Sequence, residues 1–261
     1  MSTSADLDGQ LGESTRIRDF CYSIIQGKQE GKFERRHYIA FALFTRCLQT
    51  HEAIQTVVVK SLVDDAWILL RALVEHAVNS VYMLLVADDQ TANDFADYGD
   101  YLRYEALVDV KNTDEEALRH HVSIEDEEKQ RQRYEEIRSR FDGKRGDKWC
   151  TDNALYKRAA RVDKIIGEQR GEVRSDLLWI VNTAWRHASE YTHGTSRSLV
   201  PHFDNEDEEV VIHRKYTHEE AVQVLRWATF ALYLVALAVD TALGSKNATE
   251  LNRMFEVWAR T

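Results

Sequence analysis

Arg174–Gly194, RSDLLWIVNTAWRHASEYTHG, is the stretch that decides how this chain reads. Leu177, Val181, Ala184, Ala188 and Tyr191 recur at heptad-like intervals, which gives a helix one apolar stripe. Arg186, Glu190 and His193 follow at i, i+4 and i+7 on another face. His187 and Ser189 flank them, and Gly194 is a stop signal. A cation, a carboxylate and an imidazole gathered at one helix end form a candidate site. Arg186, His193 and Glu190 are its reactive set, with His187 and Tyr191 as binding residues beside them.

The nearest counterpart upstream is residues 64–86, DDAWILLRALVEHAVNSVYMLLV, apolar almost all round and so expected at the centre of a helical domain. Arg71, Glu75 and Asn79 interrupt it at i, i+4 and i+8 as a single polar line. Unpaired charge is costly to desolvate, so these residues need partners. They are either a buried structural network or the wall of the site.

The remaining pattern is helical as well. Helices are expected over 16–26, 34–60, 91–110, from Ser123 to Phe141, and around Leu155, Ala159, Val162 and Ile166. Asp64 or Asp65 is expected to cap the central helix, and Thr113 with Glu116 has the form of a capping box. Thr217 with Glu220 is a further capping box, opening a long helix that ends before Gly244. Asn247 and Glu250 introduce a last one. Residues 1–14 are polar and read as disordered or loosely attached. The helical pattern fails over 195–216, where Pro201 and DNEDEE mark an irregular loop and VVIH has an extended pattern. The expectation is an all-α bundle of about eight helices, a single domain over 15–261.

Composition narrows the classes. Three cysteines without a CxxC pair point to a reducing, cytoplasmic setting. The longest apolar run, Trp227 to Val239, falls short of the roughly 20 residues of a membrane span, so a buried core helix and no membrane partner are expected. The net charge is −10, yet twelve Lys and Arg face six Asp and Glu between Lys129 and Lys164. That segment is either an electrostatic footprint for RNA or a solvated, mixed-charge helix pair. Phosphate-loop, dinucleotide-fold, HExxH and GxSxG signatures are missing from the sequence, and the ten histidines are scattered. Neither a metal site nor a cofactor is expected.

Arg186, His187 and His193 resemble the motif of the HEPN superfamily (higher eukaryote and prokaryote nucleotide-binding domains): Arg, four to six residues, then His, with Asn, Asp or His commonly after the Arg. The pairing of RALVEH at 71–76 with SEYTHG at 189–194 is also similar to an uncharacterised bacterial helical family. The HEPN resemblance implies an all-α bundle and a metal-independent endoribonuclease of the toxin or phage-defence type. It implies action on RNA, a homodimer whose two motifs share a cleft, and a neutralising partner protein.

Four Arg–His pairs have an allowed spacing: Arg46/His51, Arg71/His76, Arg186/His193 and Arg197/His202. On an ideal helix i and i+5 lie about 140° apart, so the first two diverge, whereas i and i+7 nearly superimpose. Arg197/His202 spans Pro201. Arg186/His193 is the pair that fits, with His193 suited to proton transfer near neutrality and Arg186 to a phosphate. The same residues also read as a surface ladder, an i,i+4 ion pair ending in a histidine at the helix C-terminus. The alternative function is then a non-catalytic interaction module binding a partner protein or a phosphorylated ligand.

Overall fold

The computed structural model describes residues 3–26, 32–111, 124–142, 147–171, 175–194, 203–206, 209–212 and 216–260. Among them the chain is an all-α bundle: α1 (Thr3–Ile25), α2 (Arg35–Val59), α3 (Val63–Leu85), α4 (Asp89–Lys111), α5 (Ile124–Phe141), α6 (Leu155–Arg170), α7 (Asp176–Ile180), α8 (Arg186–Thr192), α9 (His218–Leu243) and α10 (Ala248–Trp258). A π-helical turn, Val181–Trp185, joins α7 to α8. Two short strands, β1 (Phe203–Glu206) and β2 (Glu209–Ile212), pair antiparallel. The expected irregular loop therefore contains a hairpin, and part of the acidic run lies in its strands. Thr113, Glu116, Arg197, Pro201 and His202 fall outside the described residues.

Helix α3 is the axis. Trp67, Leu70, Leu73, Val74, Val78 and Val81 are buried, and α2, α6, α8 and α9 pack around them. Helix α9 supplies the facing core through Leu225, Ala228, Leu232, Val235 and Val239. Both α3 and α9 are long and apolar enough to cross a membrane; in this fold each is a central helix of the bundle. Asp64 and Asp65 sit in the first turn of α3 behind Leu62, so they act on the helix dipole rather than as its cap. The Thr217–Glu220 capping box is present, and Gly244 ends α9 at φ +65, a left-handed position glycine tolerates.

Residues 3–14 are not a loose tail: they are the first half of α1. Its buried stripe is Gln10, Ser14, Ile17, Cys21 and Ile24, helically spaced but polar at the start. Ser14 belongs to a buried hydrogen-bond network joining α1, α2 and α9. Thr229 donates its hydroxyl to the Leu225 carbonyl at 2.8 Å, so its oxygen is left to accept from Ser14 at 2.7 Å. Both hydroxyl oxygens then accept from His51 Nε2, each at 3.2 Å. His51 is thereby fixed as the neutral Nε2–H tautomer, and its buried Nδ1 has no acceptor for a second proton.

Distant carboxylates set two further joints. Asp163 on α6 accepts the backbone N–H groups of Leu177 and Leu178 at 3.2 and 2.8 Å and so caps α7. Buried Asp240 at the end of α9 accepts from Ser245 and from both nitrogens of Asn247, which places α10. Asn247 occupies the expected cap position, but its side chain is spent on Asp240, while Glu250 pairs with Arg253.

Burial, followed by the nearby Arg18 guanidinium, pushes the His51 imidazole down to about 3 from its ordinary 6.5. The unfolded chain thus binds a proton near pH 6.5 that the folded chain refuses until about pH 3. Stability from this group is complete above pH 6.5 and is lost as pH falls, at about 1.4 kcal/mol per pH unit. Urea denaturation of the wild type at pH 7 and pH 5 is expected to show this loss, and His51→Gln is expected to flatten the difference.

Candidate functional site

Helices α3 and α8 bring the two sequence stretches together. The polar line of α3 faces a groove of about 680 Å³, and Arg71, Glu75, Asn79 and Arg186 all line it. The groove is closed by Phe95, Tyr98 and Leu102 of α4, by Trp149 and Tyr156, and by Trp185. Arg186 of the second polar set therefore shares the groove with the polar line of α3, while His193 does not line it and is joined to it through Arg71.

The π turn is what aims the end of the helix. Its hydrogen bonds reach back five residues instead of four, so the Arg186 N–H meets the Val181 carbonyl. Trp185 is turned onto α3, where its indole N–H donates to Glu75 Oε1 at 2.8 Å and its ring lies 5.2 Å from the Arg71 guanidinium carbon. Arg186 follows at the groove. It is exposed and makes no hydrogen bond or ion pair among the described residues.

Arg71 is the hub. Its Nε donates to Glu75 Oε1 at 3.3 Å, and its Nη1 lies 3.2 Å from His193 Nε2. A guanidinium has only donors, so Nε2 accepts and the ring proton sits on Nδ1. His193 is exposed at the last turn of α8, and Gly194 at φ +57 lets the chain leave there. Arg186 and His193, seven residues apart, are separated by about 10 Å of helix rise. The cation in direct contact with the imidazole is therefore Arg71 from α3.

Other expected site residues lie elsewhere. His187 and Tyr191 point to the far side of α8, into an aromatic cluster with Trp67 and Trp227: the His187 ring meets Trp67 edge-on at 4.6 Å, and Tyr191 stacks on Trp67 at 5.7 Å. They hold the helix down and do not line the groove. Glu190 is also outside the groove, with its Oε2 shielded from solvent, so the carboxylate that α3 brings to the groove is Glu75. Of the competing Arg–His pairs, His51 is in the core network, and His76 is half-buried, held below its usual range by burial and Arg46.

Within the basic segment, the arginines of α5 are all paired. Arg133 and Arg140 on α5 both bond Asp97 on α4, Arg140 adds Asp94, Arg131 pairs with Glu128, and Arg138 with Asp142. This pinning of α5 to α4 surrounds a small core of Tyr101, Ile137 and Phe141. Buried Arg158 pairs with Asp147, donates to the Asp152 carbonyl at 3.1 Å and stacks on Trp149, which shapes the groove's far wall. Sequence reasoning passed over Arg158 and Trp185, whose roles appear only once the wall and the π turn are built. Among the described residues no three His, Cys, Asp or Glu side chains converge as metal ligands.

The sequence profile of a family of unknown function, DUF5677, matches residues 37–210, two thirds of the chain. The chain belongs to that family. The matched span holds Arg71, Glu75, Asn79, Arg186 and His193, whereas α1, α9 and α10 lie outside it. No curated protein and no solved structure matches the chain.

Trp185→Phe keeps the aromatic face over Arg71 but removes the donor to Glu75. Because Glu75 is part-exposed, the expected loss is about 1 kcal/mol of unfolding free energy, read from the urea midpoint. Trp185→Leu, which also removes the face over Arg71, is expected to lose more.

Proposed function

We propose that the chain is a metal-independent endoribonuclease of the toxin or phage-defence type, with its site where α3 meets α8. The observation that carries this reading is the Arg71–His193 contact beside a groove into which Arg186 also projects. Cleaving an RNA phosphodiester needs positive charge on the phosphorane and proton transfer at the attacking and leaving oxygens. Arg71 and Arg186 supply the charge, and His193 supplies the imidazole for the transfer. The aromatic groove offers faces on which an unpaired base stacks. The reading brings with it the HEPN-like relationship, a cytoplasmic setting, a homodimer and a neutralising partner protein.

One observation favours a second reading. A free guanidinium in an aromatic-walled groove also suits a phosphorylated ligand that is bound and left intact, as in a non-catalytic interaction module.

The test is incubation of the purified chain with single-stranded RNA of mixed sequence in the presence of EDTA. The wild type is expected to cut it, His193→Ala to cut about 10²- to 10⁴-fold more slowly, and Arg71→Ala and Arg186→Ala to be impaired. Equal cutting by all four proteins, or none by any of them, contradicts the nuclease reading. Arg-dependent binding of RNA that stays uncut favours the second.

A further inference from the structure

A single histidine serves poorly for two proton transfers, and the groove holds a second group of the right chemistry. Glu75 stands one helical turn after Arg71, and its side chain is 40% exposed. Its Oε1 is fixed by two donors, Trp185 Nε1 at 2.8 Å and Arg71 Nε at 3.3 Å. Its Oε2 engages no donor among the described residues, and the side chain lines the groove. One oxygen is thus an anchor and the other a lone-pair donor toward whatever the groove holds. Arg71 lies between Glu75 and His193, touching both, and keeps the rest of its five N–H donors for a phosphate.

We propose that Glu75 is the general base of the cleavage and His193 the general acid, so that a single protomer carries the complete set; this rests on the ribonuclease reading above. Glu75 removes the proton from the ribose 2′-OH as the 2′-oxygen bonds to phosphorus. The bond from phosphorus to the 5′-oxygen breaks, and protonated His193 gives its proton to that oxygen. The products are a 2′,3′-cyclic phosphate and a 5′-hydroxyl. Glu75 ends protonated and His193 neutral, and exchange with water resets both. In the free protein His193 accepts from Arg71. A phosphodiester on Arg71 takes over that donor, and its negative charge favours the imidazolium needed for the second transfer.

The charged groups around Glu75 are Arg71 on its own helix, Arg186 on α8 and the Arg158–Asp147 pair that also lines the groove, with His76 next along α3. Asp147 is engaged by Arg158, and Glu190 lies outside the groove. Of the groove's two described carboxylates, Glu75 is the one bonded to Arg71, the cation that also touches His193.

Glu75→Gln keeps an acceptor for Trp185 and Arg71 while removing the base. With the full chain and single-stranded RNA of mixed sequence, it is expected to lower kcat by about 10²- to 10⁴-fold, leave KM within about twofold, and abolish the acidic limb of the pH profile of kcat. A 2′,3′-cyclic phosphate end on the wild-type product is the accompanying signature. A folded Glu75→Gln with wild-type kcat and an unchanged acidic limb overturns the assignment of the base while His193→Ala still shows the ribonuclease reading to hold. A loss expressed only in KM overturns it equally. A wild type that cuts no RNA overturns both together.

Discussion

A charged pair midway along a largely apolar central helix is the constraint on which this structure turns. Helix α3 is buried by neighbours on most sides, so Arg71 and Glu75 must be met by hydrogen bonds or remain costly to desolvate. Their order along the helix, cation before carboxylate, is the weaker one for local pairing. The structure meets the need from outside the helix. Trp185 covers Arg71 and donates to Glu75, and His193 accepts from Arg71. All these contacts come from one short helix and the turn before it, so satisfying the charges fixes how α8 lies on α3. The groove is the space left along that polar line.

The remaining elements serve this arrangement at a distance. Asp163 caps α7 and so sets where the helix leading to the π turn begins. The His187, Tyr191, Trp67 and Trp227 cluster presses the opposite face of α8 into the core, leaving Arg186 and His193 on the open side. Elsewhere in the core, the Ser14–His51–Thr229 network locks α1 and α9 to α2 through directional bonds. Such a network specifies register more sharply than apolar contact alone, provided each member is satisfied. Holding His51 neutral satisfies its Nε2–H, while its buried Nδ1 keeps no partner among the described residues.

Much of this was legible in sequence wherever burial is apolar. The limits of α2, α3, α5 and α9 follow from 3.6-residue periodicity and end signals, and Leu177, Val181, Ala184 and Ala188 are buried as their spacing implies. Failures came where polar atoms do the work. Gln10 and Ser14 continue the buried stripe of α1 and look like a polar tail until their partners are known. The π turn shifts hydrogen bonds without altering the apolar pattern, so nothing in VNTAW announced it. Arg71, Glu75 and Asn79 stood out as a line, and Arg186 with His193 as another. That the lines meet is a tertiary fact, as is the burial of His187 and Tyr191 on the reverse face.

The most direct test of this account is the tautomer of His193, read from the nitrogen chemical shifts and long-range couplings of its imidazole at mildly alkaline pH. The account predicts the Nδ1–H form, with Nε2 accepting from Arg71, and a change in the Nε2 resonance when Arg71 becomes alanine. A His193 ring in the Nε2–H form whose resonances ignore the loss of Arg71 would contradict the joining of α3 and α8 into one site.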